Sequence, residues 1–174
     1  MTRCEGSLLL TGPYGVGKST AIAEMGNAFE EAGIPFGAID LDWLSWFDAG
    51  WNDERRSFGV LLKNLDAVVT NYLDAGVRYV VMALTVEHSW ELDGIRSVAP
   101  EPLHVVRLEA DIETIRDRLA PDPTSGRAID LASAEKAVAS GAGADLADHV
   151  IRGEGPVRVL VHEVLNTIGW TLDR

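Results

Sequence analysis

The chain has 174 residues, 47% of them hydrophobic and 24% charged, which suits one folded domain with a real core and excludes a disordered chain. Its net charge of −12 is opposite in sign to the broad basic field that general nucleic-acid binding needs. A single cysteine, Cys4, excludes an intramolecular disulfide and suits a cytoplasmic setting.

No segment approaches the ~18 consecutive apolar residues of a membrane span. The four histidines, His88, His104, His149 and His162, lack metal-ligand spacing, so no structural metal is expected. In chain order, Ser7–Thr11 reads as a fully buried strand. Lys18–Ala32 reads as a helix with Ile22, Met25 and Phe29 near one face and Gly33 as its stop. Pro35–Asp40 is a second strand. Leu61, Leu65, Val68, Val69 and Tyr72 follow helical spacing, and Asp74-Ala75-Gly76 ends that helix. Arg78–Val86 is a third strand without polar alternation, as buried parallel strands require. His88–Ser97 reads as a helix and Leu103–Leu108 as a fourth strand. Asp111 is placed to cap a helix carrying Ile112, Ile115 and Leu119. Pro121–Gly126 is a loop by composition, Ile129–Ser140 a helix and Asp148–Ile151 a short fifth strand. Gly155-Pro156 opens a last helix striped by Leu160, Val161, Val164 and Leu165. Strands separated by helices predict a three-layer α/β domain over residues 1–174, with a five-stranded parallel sheet covered on both faces.

Between the first strand and first helix stands Gly12-Pro13-Tyr14-Gly15-Val16-Gly17-Lys18-Ser19, followed by Thr20. It matches G-x-x-x-x-G-K-[ST] at Gly12, Gly17, Lys18 and Ser19. Glycines let successive backbone N–H groups turn inward on an anion, and the following helix adds its positive end. The pattern predicts a nucleoside triphosphate held by Gly12–Thr20, with Lys18 on the β- and γ-phosphates and Ser19 on Mg²⁺. The bland alternative is a glycine-rich turn with an incidental lysine.

The motif alone spans switches, motors, transporters and kinases. No guanine-reading Asn/Thr-Lys-x-Asp and no Leu-Ser-Gly-Gly-Gln occurs. What remains resembles the small P-loop kinases, which include shikimate and gluconate kinases and chloramphenicol phosphotransferase. The resemblance implies a P-loop NTPase fold with strand order 2-3-1-4-5, ATP and Mg²⁺ as cofactors, and a small-molecule acceptor. It implies a carboxylate at the end of the second strand, where Asp40 and Asp42 stand, acting on the acceptor hydroxyl or, for Asp40, on the metal. Asp42 could instead cap a turn. It implies a lid over 116–130 in which Arg118 and Arg127 close on the triphosphate, while Arg116 suits an ordinary surface pair with Glu113 or Asp117. It places Arg152 and its Gly-rich loop beside the adenine, where a flexible turn is the competing reading.

The chain departs from that pattern in two places. Relatives often end the third strand with Asp; here Thr85 and Glu87 follow Leu84, which shifts the metal role towards Asp40 or Asp42. The segment 40–60 carries Trp43, Trp46, Phe47 and Trp51, then Arg55 and Arg56. Either these aromatics beside charges mark a recognition surface for rings or sugars, or Trp43, Trp46 and Phe47, spaced at i, i+3 and i+4, form a helix face packed on the sheet; Trp51, off that stripe, is left for the acceptor. Arg55 and Arg56 would meet an acidic acceptor or pair on the surface. The leading expectation is a kinase of a small hydroxylated molecule, a monomer or homodimer binding neither nucleic acid nor membrane. The alternative is a nucleotide-binding regulatory protein whose Trp43–Trp51 segment docks a partner; a nucleoside-monophosphate kinase is weaker for want of further clamping arginines.

Overall fold

The computed structural model describes residues 4–120, 125–153 and 155–172, with Ser125 and Arg127 described by their backbone alone. Five strands, β1 (Gly6–Thr11), β2 (Phe36–Asp40), β3 (Tyr79–Ala83), β4 (Leu103–Glu109) and β5 (His149–Arg152), form one sheet in the order β2-β3-β1-β4-β5. Every pairing is parallel. The helices between them are α1 (Lys18–Glu31), α2 (Glu54–Asp74), α3 (Ser89–Arg96), α4 (Ile112–Leu119), α5 (Ser125–Ser140) and α6 (Val157–Thr167).

Strand side chains alternate between faces, so β1 sends Leu8 and Leu10 one way and Leu9 the other. The first face meets α1 and α6 through Met25, Phe29, Leu160 and Val164. The second meets α2 and α3 through Leu61, Leu65, Leu92 and Ile95. Phe29 is fully buried, with its ring stacked 5.7 Å from Phe36 and 5.4 Å from Tyr79. A third, small cluster joins Ile115 and Leu119 of α4 to Ala134 of α5, with Tyr14 packed against it. That cluster sets α4 and α5 over the loop between β1 and α1.

Several boundaries differ from the sequence reading, three of them by more than two residues. β3 stops at Ala83 rather than Val86: Leu84 N still reaches Leu10 O, but Val86 N donates to the Thr11 hydroxyl at 3.0 Å instead of a strand carbonyl. α2 begins at Glu54, because the Asp53 carboxylate accepts Arg56 N at 3.0 Å and caps it. α5 begins at Ser125, so Ser125 and Gly126 are helical; Pro121–Thr124 of the expected loop lie outside the described residues. Asp111 stands at the N-cap of α4, but its carboxylate accepts no cap hydrogen bond from the helix amides. No helix among the described residues is long and apolar enough to cross a membrane.

Candidate active site

The carboxyl ends of β1, β2, β3 and β4 lie side by side, with Asp40 level with Ala83 and Thr11 level with Arg107. Open parallel sheets bind ligands at this edge. The turn Gly12–Gly17 leaves β1 there and feeds α1. Gly12 has φ 129°, and a Cβ on it would stand 2.3 Å from Leu108 O, so only glycine lets the loop pass β4 this closely. Gly17, at φ 107°, takes the N-cap of α1 and offers no capping side chain, so the first helical N–H groups stay open to an anion.

Lys18 is 6% exposed, and its ammonium donates to Gly12 O at 2.9 Å, Pro13 O at 3.1 Å and Thr85 Oγ1 at 2.9 Å. Those bonds use all three of its protons. Burial lowers its pKa to about 8, partly offset by the nearby Asp42 and Asp40. The Ser19 hydroxyl donates to Asp40 Oδ2 at 2.6 Å, and Asp40 Oδ1 accepts Asp42 N at 3.2 Å. Asp40, not Asp42, therefore caps the 3-10 turn Leu41–Leu44. Half-buried Asp42 has its carboxyl pKa raised, first by burial and then by the charge of Asp40. Tyr14 lies under Lys18, with the ammonium 5.2 Å from its ring. Burial, followed by the carboxylates of Asp42, Asp130, Glu87 and Glu91, pushes its hydroxyl up to about 12.

No family model matches the chain, and no curated protein matches it by sequence. Solved structures do match across nearly its whole length. A sugar kinase from Janibacter sp. HTCC2649 superposes with a TM-score of 0.66 at 18% identity, covering 97% of this chain and 98% of its own. A gluconokinase from Sinorhizobium meliloti 1021 gives 0.60 at 20% identity, covering 96% and 93%. The APS kinase of Mycobacterium tuberculosis, solved with AMPPNP and APS, gives 0.61 at 17% identity, covering 96% and 99%. The fold is that of the small-molecule P-loop kinases. The expected sheet order, 2-3-1-4-5, is the observed one.

Within this kinase fold the arginines of the lid segment part company. Arg118 donates to Val16 O at 2.6 Å and Gly153 O at 2.7 Å, which ties α4 to the phosphate loop and to the turn after β5. Arg116 pairs with Glu135 of α5 at 2.7 Å, rather than with Glu113 or Asp117. Arg127 has its backbone in α5, and its side chain lies outside the described residues. A cavity of about 420 Å³ opens between Gly15, Gly17, Ser19 and Thr20 on one side and Arg118 and Gly153 on the other. Arg152 does not line it. It lines a separate cavity of about 310 Å³ with Pro13, Arg107 and Asp111, and its guanidinium stands 4.0 Å from the Asp111 carboxylate.

The aromatic segment corrects the helix-face reading of Trp43, Trp46 and Phe47. Trp43 and Trp46 are 67% and 76% exposed and face each other at 4.8 Å; Phe47 is also exposed. Only the 3-10 turn Leu41–Leu44 forms, capped by Asp40; beyond it Ser45 Oγ donates to Asp42 O and Asp48 takes Gly50 N, so no α-helix carries the three aromatics on one face. Trp51 is covered by the Arg56 guanidinium at 3.6 Å, and Trp90 by that of Arg55 at 4.6 Å. Sequence reasoning missed four groups. They are Tyr14 as a side chain, Thr85 on Lys18, Asp130 from α5, and Glu91, whose Oε2 accepts the amides of Glu87 and His88. Of these only Thr85 carried a signal, as a polar residue just past a strand end.

Proposed function

We propose that the protein transfers the γ-phosphoryl group of ATP to a hydroxyl of a small molecule, in a cytoplasmic setting. The observation that carries this reading is the convergence of the open amides of the loop, buried Lys18, the Ser19–Asp40 pair and Asp42 at one edge of a kinase-fold sheet. The phosphates lie on the N–H groups of the loop and α1, with Lys18 turning from its own loop carbonyls onto them. The cavity beside Gly15–Thr20 takes the nucleoside, under the Arg118 clasp. Thr20 keeps the role given by the loop motif and Arg127 the one implied by resemblance, whereas Arg152 lines the neighbouring cavity and has no part in holding the nucleoside in this reading.

Among the described residues no group of three His, Cys, Asp or Glu could hold a metal ion. Mg²⁺ asks for less, taking one or two protein oxygens and completing its shell from phosphates and water. The Ser19 hydroxyl on the Asp40 carboxylate fits that demand, as a pair of hard oxygen donors at the phosphate end of the loop. Mg²⁺ there would neutralise charge on the phosphate oxygens. Asp40, committed to Ser19 and the turn, is the positioning group. Asp42 is the base, since burial holds its carboxyl pKa above the ordinary value and brings it nearer to working pH. As the acceptor oxygen bonds to the γ-phosphorus, the bond to the bridging oxygen breaks and its electron pair leaves with ADP. Asp42 receives the hydroxyl proton.

The lid of the expected segment 116–130 reduces in this reading to α4 and α5, held on Tyr14. Incubation with γ-labelled ATP and a panel of sugars, cyclitols and hydroxylated antibiotics tests the proposal. Label should appear in an acceptor and only with Mg²⁺ present. ATP bound but never consumed in an acceptor-dependent way would favour the regulatory alternative instead.

A further inference from the structure

We propose that the acceptor carries a protonated amine beside its hydroxyls, held by carboxylates of the β2 and β3 ends and by the exposed indoles of Trp43 and Trp46. This rests on the kinase reading of the same site. The β2 and β3 ends bring Asp40, Asp42 and Glu87 to the side of the loop away from β4 and β5, and the first turn of α3 adds Glu91. Asp130 approaches from α5, close enough to act on both Tyr14 and Lys18. Asp42, Glu87 and Asp130 are half-buried, where water screens charge less than at an open surface.

Among the described side chains the nearby cations are committed, Arg107 among them through its pair with Glu109. Lys18 belongs to the phosphates. Arg55 and Arg56, the residues that could have met an acidic acceptor, lie over the rings of Trp90 and Trp51. Magnesium-bound ATP adds further negative charge. An acceptor carboxylate would enter against all of it, whereas an ammonium would be drawn in.

A second, independent observation concerns the rim. Indole faces beside this cleft hold cations in two places, at Trp51 and Trp90. Trp43 and Trp46, exposed and in mutual contact just after Asp42, offer the same chemistry with no cation of the chain over them among the described contacts. Aromatic faces bind ammonium groups and the apolar faces of sugar rings alike. An aminated sugar or cyclitol uses both properties; gluconate would use one and oppose the carboxylates.

Matched probes test this. Binding of glucosamine against glucose, and of 2-deoxystreptamine against inositol, is measured by calorimetry on the full chain loaded with Mg²⁺ and AMPPNP, with gluconate as the acid. The amine member should bind at least tenfold more tightly in each pair. Glu87→Gln and, independently, Trp43→Ala should each pull that ratio towards one; Trp43 is exposed, so its loss leaves the core intact. Equal affinity within both pairs, no measurable binding of either member, or tighter binding of gluconate overturns the proposal. ADP release measured separately with ATP keeps the two readings apart. Amine preference without ADP release removes the kinase reading, and ADP release with a neutral or acidic probe but no amine preference removes the charge reading.

Discussion

At the scale of single residues, Lys18 carries the sharpest consequence. Its pKa falls to about 8 because its ammonium is buried, while the unfolded chain keeps that proton to about 10.5. Between those values the unfolded state holds more protons, so this group's contribution to stability rises with pH through that window. Phosphate binding runs the other way, because it needs the ammonium. Affinity for Mg²⁺-ATP, followed by calorimetry, should therefore weaken above pH 8 towards about tenfold per pH unit. Lys18→Arg, which stays charged, should abolish the slope whatever its absolute affinity. A flat profile in the wild type would show that Lys18 does not contact the phosphates. The role of Lys18 was legible from its place after Gly17. Its bond to Thr85 was not, because that residue lies 67 positions away, just past another strand's end, and its bonds to the Gly12 and Pro13 carbonyls depend on how the loop folds back on itself.

At the scale of elements, the phosphate loop is set by close approach to β4. A Cβ at Gly12 would meet Leu108 O at 2.3 Å in a backbone region that disfavours side chains. Gly12→Ala should cost more than about 100-fold in ATP affinity, as the loop amides lose their common focus. Gly59→Ala supplies the control: that glycine lies within α2, with open space where a Cβ would go, and the change should stabilise by about 0.5–1 kcal/mol without touching ATP affinity. Chemical denaturation and ATP titration of both variants separate the two effects. The turn after β2 was misread at this scale. Trp43, Trp46 and Phe47 have helical spacing, yet only a 3-10 turn forms after Asp40; Ser45 and Asp48 bond the backbone locally beyond it, and α2 starts only after the Asp53 cap. Spacing reports which residues could share a face, while side-chain competition for backbone groups decides whether a helix exists to carry it.

At the scale of the whole molecule, alternating strand and helix patterns were enough to reach a parallel sheet. Its order came from resemblance, and the structure has that order. The core of one face centres on Phe29, whose ring joins α1 to β2 and β3. Phe29→Ala should cost about 3–5 kcal/mol, visible as a fall of roughly 10 °C in Tm. A change under ~1 kcal/mol would contradict this packing account. What no local pattern conveyed was which charges the fold gathers at the sheet edge, since Tyr14, Asp42, Glu91 and Asp130 come from four separate segments. Phosphoryl transfer stands or falls at Asp42. The deciding measurement is the acceptor-dependent rate of ADP release by wild type and Asp42→Asn at saturating Mg²⁺-ATP. The substitution should lower that rate about 10²–10⁴-fold with ATP affinity unchanged. A loss below ~10-fold would remove Asp42 as the base, and no acceptor-dependent release from the wild type would mean that the protein is not a kinase.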